Sequence, residues 1–366
     1  MGCAAKGGVY ILQHLGDITK LSGYTMPPVD CITIGSPCQD LSIAGLRTGL
    51  SGERSGLFLH AVRIIREMRE ATHDRYPTYA VWENVDGALS SAKGEDFRAA
   101  LQELATVAGE TVPIPRPTGK WTTAGEIVGN DYSIAWRILD AQYWGVPQRR
   151  RRIYLVVDFG GQRASEILFD RNRMPRNFGA GRAEGQAVAA PAGGGAALAG
   201  GSLRPIDGMA YTIRERGGCP GGGKGPLVQE ERAGTLSCRN DQYLVTGGLA
   251  RRLIPLECER LQGYPDGWTD IPDYIDSKGR TRHAVDTARY KALGNSIALP
   301  CAEYVLQGIL DQLGRGATLG SLFDGIGGFP LGWERLHGSG TAIWASEIEP
   351  YPQAVTEYHF GFMEVQ

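Results

Sequence analysis

A cysteine, a glutamate and a pair of arginines hold the reactive potential of this 366-residue chain. A glycine-rich turn near its end could hold a cofactor for them. Cys38 stands in Gly35-Ser36-Pro37-Cys38-Gln39, just beyond the apolar run 29–34. A loop cysteine after a buried strand is open to ligand and becomes a nucleophile where its thiolate is favoured. A small core hydrophobe is the other reading of a single cysteine. Glu83, in Glu83-Asn84-Val85, ends the run Tyr79-Ala80-Val81-Trp82. At a strand end in a parallel sheet, a carboxylate points to the ligand crevice and can act as a general acid. A surface turn would read the same way. Arg150 and Arg152 alternate after Gln148. Phe323-Asp324-Gly325-Ile326-Gly327-Gly328 joins an apolar run to a helical one, which suits close backbone approach to a nucleotide. Glu347 lies 20 positions beyond Gly327, where a carboxylate can bind ribose hydroxyls. The full dinucleotide fingerprint is not met, so an NAD site or a plain structural turn stay open here.

These residues need a scaffold, and the pattern around them is α/β. Short apolar runs predict strands over 29–34, 79–82, 132–139, 152–157, 318–323 and 342–345. Helical periodicity marks 57–70, 94–108, 255–261, 297–313 and 328–336. Strand-like pieces recur at 234–237 and 242–245, after a stretch from 160 to 202 with few large apolar residues. Within that stretch, 187–201 is mostly Ala, Gly and Pro, the composition of a loosely ordered insertion. With 38 basic against 40 acidic residues, the chain has no global signature for nucleic acid. The run Arg149–Arg152, followed by Arg163, Arg171, Arg173, Arg176 and Arg182, is either a local phosphate-binding face or a solvated charged stretch. Seven cysteines without a C-x-x-C pair argue against a disulfide framework and a metal site, and fit a reducing cytoplasm. No apolar run is long enough for a bilayer, so no membrane association is expected.

Six segments together resemble the DNA (cytosine-5) methyltransferases. They are the G-x-P-C-Q loop at Gly35–Gln39, E-N-V at Glu83–Val85 and Q-x-R-x-R at Gln148–Arg152. The others are Arg251–Pro265, with its Q-G-[FY]-P ending, G-N-S-[VI] at Gly294–Ile297 as a helix start, and F-x-G-x-G-G at Phe323–Gly328. The resemblance covers most of the chain outside roughly 160–230. It implies a Rossmann-like S-adenosylmethionine-dependent methyltransferase sheet with a smaller inserted target-recognition domain. The expected division is 1–158 and 289–366 for the catalytic domain and 159–288 for target recognition. The family's usual order starts with the glycine loop, so the resemblance implies a circularly permuted chain. Its old ends would be joined through the short, flexible linker Gly314-Arg315-Gly316-Ala317.

The resemblance also implies roles. Cys38 matches the thiolate that adds to C6 of cytosine, and Glu83 the residue that contacts N3 and the exocyclic amine. Arg152 matches the contact to the base O2, with Arg150 as its supporting partner. S-adenosylmethionine is the implied cofactor. Phe323 and Ile348 match adenine-packing positions and Glu347 the ribose carboxylate. Asp17 and Ile18 match the adenine-edge loop, and Asn295 a cofactor-side contact in G-N-S. Pro37, Asp324, Gly325 and Gly327 complete the expected cofactor set. Double-stranded DNA is the implied partner, with the target base flipped into the pocket under a mobile loop over 39–49. A monomer in the cytoplasm of a bacterial or phage-infected cell is expected, with a cognate restriction endonuclease as a partner not required for activity. An RNA (tRNA) cytosine-5 methyltransferase and an inactive DNA-binding relative are the alternatives.

Overall fold

A computed structural model describes residues 12–37, 56–170, 172–173, 210–214, 226–239, 241–246 and 249–361. Cys38, the 39–49 loop, Arg171, Arg176, Arg182 and the segment 187–201 lie outside the described residues. The chain divides into two compact units. One draws on Met1–Leu139, Arg152–Met174 and Glu303–Gln366, the other on Asp140–Arg151 and Pro175–Ala302. The sequence had placed these boundaries at 158/159 and 288/289. Residues 140–151 group with the second unit because Arg149 N donates to Ala233 O (2.8 Å) and Ala233 N to Pro147 O (2.7 Å).

In chain order the first unit starts with strands β1 (Gln13–His14) and β2 (Cys31–Ile34), helix α1 (Leu57–Ala71), strand β3 (Tyr79–Val85) and helix α2 (Glu95–Val107). Strands β4 (Ala124–Val128), β5 (Ser133–Asp140) and β6 (Arg151–Asp158) follow, then the short helix α3 (Ala164–Phe169). The second unit contributes β7 (Tyr211–Arg214), β8 (Leu227–Glu230), β9 (Gln242–Thr246), β10 (Leu249–Arg252) and α4 (Pro255–Gln262). It continues with β11 (Tyr274–Ile275), β12 (Thr281–Arg282) and α5 (Asp286–Asn295). After α6 (Leu299–Leu313) come β13 (Leu319–Leu322), α7 (Gly328–His337), β14 (Ala342–Ser346) and α8 (Pro350–Phe360).

The first unit is built on one eight-stranded sheet in the order β1-β14-β13-β2-β3-β6-β5-β4. The five strands from β1 to β3 run parallel, and β6 turns antiparallel against β3. Counted from β13 as the first strand, the parallel part reads 3-2-1-4-5, the order of doubly wound nucleotide-binding sheets. Every residue of β2 and β13 is buried, as expected of parallel strands covered on both faces. Helix α1 covers one face with Phe58, Ala61, Val62, Ile65 and Met68, which recur at helical spacing and are fully buried. Phe58 and Phe97 meet the Trp82 indole at ring-centroid distances of 5.2 and 6.3 Å.

Two features hold β13 in place. Asp30 Oδ2, just before β2, accepts from the N–H and hydroxyl of Thr318, both at 2.8 Å. Gly320 lies under Trp344 of β14, and a Cβ there would overlap the indole ring. The linker before β13 is a folded turn rather than a loose tether. Gly314 and Gly316 take φ of 79° and 84°, and Trp333 Nε1 donates to Ala317 O at 3.1 Å.

The second unit contains a four-stranded antiparallel sheet, β10-β9-β7-β8, and the small hairpin β11–β12. Residues 234–237, expected as strand-like, form irregular chain. The Gln242 amide replaces ladder bonds there, accepting from Gly234 N (2.9 Å) and donating to Gly234 O (3.1 Å) and Thr235 O (3.2 Å). The G-N-S segment, expected to open a helix, closes α5 instead, and α6 starts at Leu299. Replacing Gly320 with Ala is expected to cost about 1–3 kcal/mol through overpacking against Trp344. An unchanged denaturation midpoint would show that β14 yields at this contact.

Candidate active site

The C-terminal ends of parallel strands are where an α/β sheet presents ligand-binding loops, and the crevice opens where strand order reverses. Here that reversal falls between β13 and β2. The glycine loop follows β13 and the Gly35-Ser36-Pro37 segment follows β2. The two segments touch at their roots: Gly35 N donates to Leu322 O at 3.0 Å, and Gly35 admits no side chain without crowding Phe323 O.

The loop leading to Cys38 is held by the E-N-V segment. Asn84 Nδ2 donates to Ser36 O at 3.1 Å, and Trp82 Nε1 to Ser36 Oγ at 3.0 Å. Asn84 Oδ1 accepts from Val85 N at 2.7 Å, so the buried amide is used on both sides. Neither Ser36 nor Asn84 stood out as a site residue in the sequence. A buried amide next to a strand-end carboxylate was the available signal, since buried polar groups need partners.

Glu83 is 8% exposed, and its Oε1 lies 3.2 Å from Arg152 Nε. The antiparallel register of β3 and β6 sets Val85 opposite Arg152 and Glu83 opposite Tyr154, so the pair spans a diagonal. The pair sets an acceptor and a donor side by side at the strand end.

Around the glycine loop, Gly325 and Gly327 take φ of 61° and 78°. Phe323, not a glycine, also has a positive φ of 58°, a strained conformation at the point where the loop turns. Glu347 ties this loop to the turn after β14. Its Oε2 accepts from Gly325 N (2.9 Å), and its Oε1 from Ile348 N (2.7 Å) and Glu349 N (2.8 Å). Ile348 is 68% exposed beside it, an apolar side chain with a face left to cover. On the far side of β14, Ser346 Oγ donates to Gly16 O at 2.6 Å. That bond holds the loop in which Asp17 accepts from Thr19 N (2.9 Å) and Thr19 Oγ1 (2.8 Å), while Ile18 is buried. The Thr19 backbone N–H holds the Asp17 carboxyl below its ordinary range. Glycine loop, Glu347, Ile348 and the 16–18 loop thus line one edge. They offer backbone donors, an anchored carboxylate and apolar flanks, a donor set that fits a cationic nucleoside cofactor.

Arg150 and Asn295 belong to the second unit. Arg150 is fully buried and its guanidinium donates to Gly294 O (3.1 Å) and to Ser296 O. Asn295 Oδ1 accepts from Cys238 Sγ at 2.9 Å, and Gly294 leaves no room for a Cβ against the 237–238 backbone. Around this turn the segments 148–152, 251–265 and 294–297 interlock. Tyr264 and Ser296 share a hydroxyl–hydroxyl bond, Gln262 Nε2 donates to Leu293 O (2.8 Å), and Gln148 Nε2 to Leu261 O (3.3 Å). Arg251 grips Glu257 in a two-pronged pair at 2.7 and 2.8 Å.

The sequence model of the family described as C-5 cytosine-specific DNA methylase matches residues 9–108, 123–177 and 201–311. The chain belongs to that family. Methyltransferases of the family use S-adenosylmethionine. The chain is 30% identical to a protein of Escherichia phage P1 named DNA N-6-adenine-methyltransferase, over 80% of this chain and 54% of that one. It is 27% identical to the type II methyltransferase M1.ScrFI of Lactococcus lactis subsp. cremoris, over 81% of this chain and 66% of that one. It is 25% identical to the type II methyltransferase M.HhaI of Haemophilus parahaemolyticus, over 81% of both chains. The chain therefore spans about half of the phage P1 relative and two thirds of the lactococcal one. Among the described residues, no helix is long and apolar enough to cross a membrane.

Asn84→Ala is expected to destabilise the protein by about 1–3 kcal/mol, because Ser36 loses buried partners. Chemical denaturation checks this, and a change below a few tenths would mean that Trp82 alone holds the loop.

Proposed function

We propose that the protein transfers a methyl group from S-adenosylmethionine to C5 of cytosine in a specific duplex DNA sequence. The observation that carries this reading is the gathering of the Ser36, Glu83, glycine-loop, Glu347 and Asp17 segments at the C-terminal edge of five adjacent parallel strands. Cytosine C5 is a weak nucleophile, and a thiolate adding to C6 makes it enamine-like. Cys38 is the proposed thiolate, two residues beyond the Ser36 that Asn84 and Trp82 hold. Glu83 is the proposed contact to N3 and the exocyclic amine, favouring a proton at N3 as the adduct forms. Arg152, paired with Glu83, is the proposed donor to O2 and keeps the carboxylate oriented. Arg150 supports the Gly294–Ser296 turn, whose Asn295 is a proposed cofactor-side contact. S-adenosylmethionine, when bound, supplies an electrophilic methyl group on a sulfonium. Loss of the C5 proton and expulsion of the thiolate then free the product base.

Phe323, Asp324, Gly325, Gly327, Glu347, Ile348, Asp17, Ile18 and Pro37 form the proposed cofactor border. The 159–288 region is the proposed target-recognition element, with β7 to β10 as its sheet. Double-stranded DNA is the proposed partner. The base must leave the stack to reach a strand-edge pocket, which a duplex permits at a cost of a few kcal/mol. We also infer that the chain is circularly permuted. The 3-2-1-4-5 strand order counted from Leu319, and a family match that stops at 311, support this reading.

Purified protein is expected to transfer label from S-adenosylmethionine to cytosine C5 of duplex DNA. Cys38→Ala should abolish turnover and retain cofactor binding, measured by filter assay and equilibrium dialysis. Undiminished methylation by that variant would sink the covalent route. Label in tRNA alone, or at adenine N6, would overturn the substrate assignment. For the permutation, a rearranged gene starting at Thr318, with residue 366 joined to residue 1, should yield a folded protein that binds cofactor. A 1–318 fragment should not bind it, and cofactor binding by that fragment would reject the shared sheet edge.

A further inference from the structure

Asp324 is the second residue of the glycine loop and the least ordinary group in the first unit. It is 6% exposed, and both carboxyl oxygens are buried without a hydrogen bond. The Ser321 hydroxyl on β13 stands close enough to favour ionisation, yet it too completes no hydrogen bond. Among the described residues, the Glu347 carboxylate just beyond β14 is a charged group that acts on Asp324. Its other contacts among the described residues run through the backbone. Asp324 N donates to Ser346 O (3.0 Å), Gly327 N at the start of α7 donates to Asp324 O (3.3 Å), and β2 meets the loop through Gly35. A buried carboxylate with no well-formed hydrogen bond and a second carboxylate nearby is a costly arrangement, and a neutral acid relieves it. The next residue in the chain, Gly325, donates its N–H to Glu347 at 2.9 Å.

We propose that Asp324 is a positioning residue for the cofactor loop, protonated in the working protein, whose loss of a proton loosens the Gly325–Glu347 bond and weakens cofactor binding. This rests on the reading of the glycine loop and Glu347 as the cofactor border. Burial pushes the Asp324 carboxyl up to about 8, with Glu347 adding to the rise and Ser321 opposing it. The sign follows from linkage. A carboxyl raised on folding gives its full relative stability below the unfolded value of 3.8 and loses it as pH rises through about 8. The sensitive window therefore lies on the alkaline side, where Asp324 ionises in the folded protein and meets the charge of Glu347.

The test is the affinity of the full chain for S-adenosylhomocysteine, measured by calorimetry from pH 6.5 to 9.5. The ligand's own amino group titrates equally against every variant, so the comparison between proteins isolates Asp324. Wild-type affinity is expected to fall above pH 8 relative to Asp324→Asn, by at most about tenfold per pH unit. Whatever its affinity at pH 6.5, Asp324→Asn should show no such relative decline, because an amide mimics the neutral acid. Parallel profiles for the two proteins would overturn the proposal while leaving the cofactor border intact. Absence of binding by the wild type at pH 6.5 would overturn both. Should the amide variant fail to fold, the wild-type profile against Ser321→Ala serves instead. Removing the hydroxyl that favours ionisation should move the decline to higher pH, and an unmoved decline would count against Asp324.

Discussion

The pairing of β13 between β14 and β2 is the constraint on which the candidate site depends. Each strand has its ligand-facing loop at its C-terminal end, so the relative height of those loops is set by register. Leu322 stands opposite Ile34 on one side and Ser346 on the other, which brings 35–37, 323–328 and 346–349 to one level. A slip of one residue would exchange the faces that Ser321 and Leu322 present and separate the loops. Asp30 and Thr318 latch the opposite end of the strands, while Gly320 lets the Trp344 ring lie flat across β13. The site is thus positioned by backbone pairing deep in the sheet. Its loops inherit that precision.

On this frame the polar groups near the edge are partnered in a way that limits motion. Glu347 accepts three backbone N–H bonds, Glu83 has Arg152, and Asn84 uses its amide toward both Ser36 and Val85. Breaking one member of a buried pair leaves the other uncompensated, so such pairs rigidify more than they stabilise. Fixed dipoles and charges aimed at a crevice cost no reorganisation when a ligand arrives. Asp324 departs from this pattern, a buried acid with neither oxygen bonded, and that contrast singles it out.

Much of the first unit was legible in the sequence. Val29–Ile34 and Leu319–Leu322 announce themselves as buried parallel strands because both faces are covered and no polar residue interrupts the run for long. Glu347 could be placed because a strand-end carboxylate has a defined height relative to a glycine turn. The second unit was harder to read. Short half-exposed strands such as Tyr211–Arg214 and Leu227–Glu230 have four residues each, too few for alternation to stand out. Helix α5 was missed because its buried side chains are few, Ala292 and Leu293 among them, and its polar face dominates the pattern. At 234–237 a side-chain amide from Gln242 substitutes for a neighbouring strand, which no local pattern encodes. The Asn84–Ser36 clamp joins residues 48 positions apart and is likewise invisible until the sheet is formed.

The rotated order proposed for this chain has a thermodynamic consequence that the sheet itself makes small. Asp30 and Thr318 are 288 positions apart, whereas joining the ends of the sequence would leave them separated by about 80. Loop-closure entropy grows only with the logarithm of separation, so the longer path costs about 1 kcal/mol more. The buried strands β2 and β13, the Trp344 contact and the Asp30 latch offset that many times over. Rate is affected more than stability, because pairings distant in sequence must form before either end of the sheet is complete. A fold in which the interior strand β13 comes from the end of the sequence therefore needs specific contacts to mark register. The Asp30–Thr318 latch is such a contact: its side-chain bonds at the strand entrance hold β13 in register with β2.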